Sequence, residues 1–131
     1  MGEKTLVEGL ISDSIELVKK LDSTEAPLTL AVWYFYEDAD EWRFLIAGPT
    51  FDELLPRNEA LAYQKVSEAI SSADLQSLSI SFVKPVISTS PLPRAIKFLV
   101  RTPPDGVLQA YFSETTLNDI FIKEMIVLRS V

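Results

Sequence analysis

The spacing of hydrophobic positions changes along the chain, and each change predicts a different element. Residues 5–21 repeat apolar side chains every three to four positions, which is typical of an amphipathic helix. Residues 28–36 and 42–48 are aromatic and aliphatic runs on either side of the polar segment 37–41, a pattern that predicts a hairpin. Residues 58–72 return to the helical spacing. The first half therefore predicts helix, hairpin, helix.

From residue 77 onward the apolar positions alternate with polar ones, which is the period of a strand. The alternation predicts strands from 77, over 96–101, over 107–113 and over 120–128. Pro85 predicts an edge position for the first of them. The sequence thus predicts one α+β domain over residues 1–131, in the order α-β-β-α-β-β-β-β, with two helices packed on an antiparallel sheet.

A turn over residues 37–41 would pair Tyr36 with Trp42 and Tyr34 with Phe44. The opposite face of the hairpin would then carry six side chains that include one cation: Ala31, Trp33, Phe35, Arg43, Leu45 and Ala47. Because both faces are largely apolar, we expect both to be covered, either by the helices or by a second copy of the chain.

Two further features belong to the first helix. Thr5 and Glu8 have the spacing of a capping box, which would begin the helix. Gly9 lies inside the predicted helix, where glycine is unfavourable, so we expect a close contact at this position.

The absence of cysteine and histidine excludes several kinds of chemistry. Disulfides, thiol catalysis and histidine-based acid–base catalysis need residues that the chain lacks. Zinc, copper and haem are usually bound by cysteine or histidine, which the chain lacks, so we expect no metal and no cofactor. The acidic segment 37–41 lacks the spacing and the glycine of a calcium loop. Whether the protein is an enzyme stays uncertain, and a non-enzymatic role is favoured.

The distribution of charge bears on the partners. The chain has a net charge of −7, with −8 in residues 1–60 and +1 in residues 61–131. An acidic chain is not expected to bind nucleic acid, which requires clustered cations. No apolar run reaches the roughly 20 residues of a membrane span, and residues 1–5 do not resemble a signal peptide. We therefore expect a cytoplasmic protein without membrane contact.

Three sets of residues are candidate binding or interface positions. The cations Arg94, Lys97 and Arg101 form the one concentrated basic group, which could receive a carboxylate, a phosphate or the acidic turn of another copy. Arg43 could hold an anion or stack on the sheet aromatics. The apolar Trp33, Phe35 and Leu45 are candidates for an interface between copies. For each group the alternative is an ordinary structural role in the core or on the surface.

The order of elements resembles that of roadblock and profilin-like domains over roughly residues 5–113, a resemblance of topology alone. It implies a small regulatory domain. The sequence favours a non-enzymatic interaction or regulatory domain that forms a dimer through an aromatic-rich sheet face, and a protein partner is also conceivable. The alternative is a module that binds or senses a small anionic ligand. A carboxylate-based hydrolase is favoured least, because no spacing of acids selects a catalytic pair.

Overall fold

The computed structural model describes residues 8–131, so Thr5 and the predicted capping box lie outside the described residues. The helices and strands follow one another in the order α1 (Glu8–Asp22), β1 (Leu30–Tyr36), β2 (Glu41–Ala47), α2 (Pro49–Leu54), α3 (Glu59–Ser72), β3 (Val83–Pro85), α4 (Pro91–Leu99), β4 (Ala110–Leu117) and β5 (Ile120–Ser130). The predicted order of helix, hairpin, helix and then strands is confirmed, with α2 and α4 as additional helices.

The strands form one sheet in the order β3-β2-β1-β5-β4. The α+β class is confirmed, and so is the central place of the hairpin strands. The prediction of a purely antiparallel sheet is wrong, because β3 pairs parallel to β2 while the other neighbours are antiparallel. Strand β3 lies at the edge of the sheet, as Pro85 predicts.

The hairpin register differs from the predicted one by a single residue. The turn contains four residues, Glu37 to Asp40, and Asp40 adopts a left-handed backbone with φ 53°. Its amide donates to the Glu37 carbonyl at 3.2 Å, so Glu41 already pairs with Tyr36. A shift of one residue exchanges the two faces of a strand. Consequently Trp33 pairs with Phe44, and Arg43 lies opposite Tyr34 rather than beside Trp33.

The segment predicted as a strand over 96–101 is mostly helix α4. Pro91 occupies its first turn, where the fixed φ of proline suits a helix and its missing amide costs nothing. The buried and half-buried side chains Leu92, Ala95, Ile96 and Leu99 recur at helical spacing. Over so short a segment, the alternation of Ile96, Phe98 and Val100 also fits a strand, and the proline decides in favour of the helix.

The remaining differences between the predicted and the observed strands come from the local conformation of turns. Residues 80–82 form a single 3-10 turn, and the Ser79 hydroxyl accepts from the Ser81 amide, which competes with extended structure. At the other end of the sheet, β4 continues to Leu117 instead of ending at 113. The turn that follows contains only Asn118 and Asp119, both left-handed.

The sheet is covered on both faces, as expected for two-sided apolar strands. One face carries Trp33, Phe35 and Phe44 beneath α1 and α3. Trp33 donates from Nε1 to the Ser14 hydroxyl on α1 at 2.9 Å. The other face carries Val32, Leu45 and Val127, together with Ile96 of α4. The nine residues of α4 cover much less sheet than α1 and α3 do.

Two close contacts fix the position of α1 relative to its neighbours. A Cβ placed on Gly9 would lie 3.0 Å from the Ser77 hydroxyl, which agrees with the predicted close contact. On the next turn, the Asp13 carboxylate accepts from the amides of Ser77 and Leu78 at 2.7 and 3.0 Å. This end of the structure is therefore held by polar contacts between α1 and the segment before β3.

Candidate interaction surface

Helix α4 carries an apolar side chain that points away from the core. Phe98 is 84% exposed, although the opposite side of the same helix is buried through Ala95 and Ile96. Phe98, Arg94, Lys97 and Arg101 line a shallow hollow of about 220 Å³. The structure thus brings the three predicted basic residues together around an exposed ring: Arg94 and Lys97 lie on α4, and Arg101 follows its end. We call these four residues the α4 surface.

Within the part of the chain that the structure describes, the cations of the α4 surface take part in no ion pair. Among residues 8–131, no side-chain hydrogen bond or ion pair is formed by Arg94, Lys97 or Arg101. Other cations do form ion pairs: Lys65 lies 2.9 Å from Glu25, and Arg129 lies 2.7 Å from Asp22. In an acidic protein, three adjacent cations without an acid are available to an anionic group from outside.

A second hollow lies beside the turn between β1 and β2. Its volume is about 290 Å³, and its lining combines aromatic rings, acids and one lysine: Tyr34, Phe35, Tyr36, Glu37, Asp38, Phe121 and Lys123. We call it the turn-end hollow. Phe121 is 51% exposed, while the rings of Tyr34 and Tyr36 meet edge to face at 4.9 Å. Partial burial raises the pKa of both tyrosine hydroxyls.

The two surfaces lie at opposite ends of the sheet. The segment that leads into α4 is anchored where the Val86 amide donates to Ile46, near the end of β2. After α4, the Thr102 amide donates to Ser130, which pairs with the first residue of β1, Leu30. The turn-end hollow lies at the other end of β1, and a seven-residue strand spans about 20 Å.

The other predicted binding cation is not part of the α4 surface. Arg43 projects from β2, and its Nε lies 3.3 Å from Glu41. It lines a separate small hollow with Tyr36, Tyr63 and Lys84. The structure therefore divides the predicted basic residues into one group of three and one residue that already has an acidic partner.

The predicted interface residues are internal. Trp33 is 0% exposed, and Phe35 and Leu45 are almost as deeply buried. The helices of the same chain cover all three, so none of them presents a surface to a second copy. Their burial follows from the two-sided core described above.

A groove between the end of α1 and α3 is larger but has less distinctive chemistry. It measures about 480 Å³ and includes Lys20, Thr24, Glu25 and Lys65. The hydrogen bond from Lys65 to Glu25, together with its positive charge, lowers the pKa of the Glu25 carboxyl. This pair ties the loop after α1 to α3, which is a structural role.

No group of three or more acids or other ligand residues within 8–131 is arranged to hold a metal ion. Asp52 lies in α2 and accepts from both the amide and the hydroxyl of Ser88. It thereby fixes the loop that leads into α4.

Sequence reasoning does not find Phe98 and Phe121 as surface residues. The alternation around Phe98 predicts a strand and burial, and the helical spacing after Pro91 is the signal that points the other way. Phe121 follows a two-residue turn, whereas the sequence pattern predicts a longer one. In both cases the wrong prediction of a neighbouring element, the start of α4 or the length of the turn before β5, leads to a wrong expectation for the exposure of the ring.

Comparisons with protein-family models, with curated proteins and with solved structures gave no match. Within residues 8–131, no helix is long and apolar enough to cross a membrane.

Proposed function

We propose that this protein is a non-enzymatic interaction domain that associates with itself. The observation that carries the proposal is Phe98, an 84% exposed aromatic side chain at the centre of three cations that have no acidic partner among the described residues. Aromatic and arginine side chains are enriched at the centres of protein interfaces. A cytoplasmic location is also part of the proposal.

The proposed interface uses exposed aromatic residues rather than the sheet core. Phe98, Tyr111 and Phe121 are all more than half exposed, whereas the sheet rings that the sequence predicts as an interface are covered. Exposed aromatic surface is costly in water and commonly marks an interaction site. Association would remove part of this surface from water without requiring the two cores to open.

Binding of a small anionic ligand is the second candidate. It is favoured by the same three cations, since Arg94, Lys97 and Arg101 converge on one hollow. Arginine can hold a carboxylate or phosphate through two parallel hydrogen bonds. The exposed phenylalanine in the middle is the reason that we rank a protein surface first, because a small hydrophilic anion leaves that ring in water.

The test compares the wild-type protein with Phe98→Ser by light scattering over a hundredfold dilution. We expect the wild-type mass to rise above 14.7 kDa with concentration and the variant to remain at that mass. Leu108→Ser is the matched control, because Leu108 is also an exposed apolar residue but lies outside both surfaces. A constant wild-type mass of 14.7 kDa would reject self-association.

The same preparation distinguishes the second candidate. Inorganic phosphate and citrate are titrated into the protein while amide chemical shifts are recorded by NMR. Shifts confined to residues 94–101, saturating at submillimolar anion in a monomeric protein, would favour the ligand-binding function over self-association.

A further inference from the structure

We propose that two copies associate antiparallel about a two-fold axis, with the α4 surface of each copy seated on the turn-end hollow of the other. This inference rests on the proposed self-association and specifies its geometry. It commits to a second copy of this chain as the occupant of both surfaces.

The chemistry of the two surfaces is complementary. The α4 surface presents an apolar ring with three cations, and the turn-end hollow presents aromatic rings with two acids, Glu37 and Asp38, and one lysine, Lys123. Phe98 would lie among Tyr34, Tyr36 and Phe121, where edge-to-face ring contacts are favourable.

The charged residues would match at the same contact. Glu37 and Asp38 are exposed, and within residues 8–131 neither side chain forms an ion pair or hydrogen bond. Arg94 and Lys97 are equally unused. Seating Phe98 in the hollow would bring these opposite charges together, which adds specificity and speeds association.

The positions of the surfaces explain why a second copy is needed and why two copies suffice. The surfaces lie at opposite ends of β1, so they cannot meet within one chain. In an antiparallel pair, each end of one copy lies beside the opposite end of the other, and the same contact forms twice. Such an arrangement is closed, because no surface of the same kind is left for a third copy.

Complementary charge reversal tests the inference. One variant carries Arg94→Glu and Lys97→Glu, and the other carries Glu37→Lys and Asp38→Lys. Each variant alone would place like charges at both contacts, so we expect its dimer dissociation constant to rise at least tenfold. Mixed in equal amounts, the two variants should form a heterodimer with opposite charges at both contacts, one between the two reversed surfaces and one between the two native surfaces. Analytical ultracentrifugation should then show tighter association in the mixture than in either variant alone.

Control variants distinguish this geometry from association through a different surface. Arg57→Glu reverses an exposed cation outside both surfaces and should leave the dimer unchanged. Circular dichroism melting verifies that every variant is folded. If the wild-type protein dimerises but the charge reversals leave the dimer affinity unchanged, this inference is overturned and self-association stands. The same holds if mixing the two variants does not strengthen their association. A wild-type monomer would overturn both.

A second measurement uses the absence of native cysteine. Phe98→Cys produced with a ¹⁵N label is mixed with unlabelled Phe121→Cys under mild oxidation, and the three disulfide-linked products are then distinguished by mass. The inference expects the mixed 98–121 product to exceed either homodimeric product. Leu108→Cys mixed with Phe121→Cys is the control, and equal yields from the two mixtures would contradict the proposed contact.

Discussion

At the scale of single residues, Arg129 has the most demanding environment in the described chain. Its side chain is 1% exposed, yet its hydrogen bonds reach three different segments. Nε donates to the Gly106 carbonyl at 2.8 Å, while Nη1 donates to Asp22 at 2.7 Å and to the Leu28 carbonyl at 3.1 Å. A buried charge is tolerated only when it is neutralised and hydrogen-bonded, so this one guanidinium joins the end of α1, the start of β1 and the 103–106 turn.

Arg129→Met therefore tests a structural role. The substitution keeps much of the side-chain volume but removes the cation beside Asp22, which keeps only the 3.3 Å hydrogen bond from the Leu28 amide, and it removes the guanidinium donor from two carbonyl groups. We expect the free energy of unfolding, measured by urea denaturation, to fall by about 3–5 kcal/mol. Arg57→Met, at an exposed position, should change it by less than about 0.5 kcal/mol. Equal small losses at the two sites would show that the buried contacts contribute little.

At the scale of elements, the turns decide details that hydrophobic periodicity leaves open. Asn118 and Asp119 join β4 to β5 with φ values of 47° and 66°, the signature of a type I′ turn. This backbone suits the right-handed twist of the paired strands. Asparagine and aspartate tolerate it better than most residues, but glycine tolerates it best.

Asp119→Gly is accordingly expected to stabilise the protein. Removing the Cβ relieves the left-handed conformation, and we expect a gain of about 0.5 kcal/mol in unfolding free energy. Asp105→Gly is the control, since Asp105 also lies in a turn but does not have a positive φ. Differential scanning calorimetry should show a higher melting temperature for the first variant alone. A decrease at Asp119 would mean that the side chain stabilises the turn in another way.

The elements that can be predicted are those with long, consistent patterns. Helix α3 has continuous helical spacing and an N-cap, Asn58, whose side chain accepts from the Leu61 amide. The aromatic strands β1 and β2 are equally clear. The register between them is not predictable, because it depends on the left-handed Asp40, and a turn of four or five residues fits the same letters. Helix α4 is missed because a nine-residue segment gives too few periods to separate a helix from a strand.

At the scale of the whole molecule, the important feature is the placement of the two surfaces. The three cations and Phe98 lie at one end of the sheet, and the turn-end hollow with its acids and aromatic rings lies at the other. The composition predicts an acidic first half, and the basic group is visible in the sequence. Their placement at opposite ends of the sheet depends on the path of the chain after β3, for which the sequence contains no long-range signal. The candidate binding cations of the α4 surface can thus be named from the sequence, whereas the turn-end hollow cannot.

Charge separation predicts a dependence on ionic strength. If the cations of one copy face the acids of the other, added salt screens the attraction, and the dimer dissociation constant should rise between roughly 0.05 and 0.5 M sodium chloride, by about two- to tenfold. Sedimentation equilibrium measures this change. Sodium chloride should have a smaller effect on Arg94→Gln with Lys97→Gln, and a dimer strengthened by salt in both proteins would indicate a purely apolar interface.

The position of β1 between β2 and β5 has a consequence for biosynthesis. Strand β1 forms its hairpin with β2 locally, but its other neighbour begins at Ile120 and is the last strand of the sheet to be made. A growing chain therefore carries an aromatic hairpin whose second edge has no partner until β5 has been synthesised. Loop closure over such a separation is slow compared with hairpin formation. We expect nascent chains that stop before residue 120 to be bound by chaperones and sensitive to proteases, and the folded sheet to form only after β5 has left the ribosome.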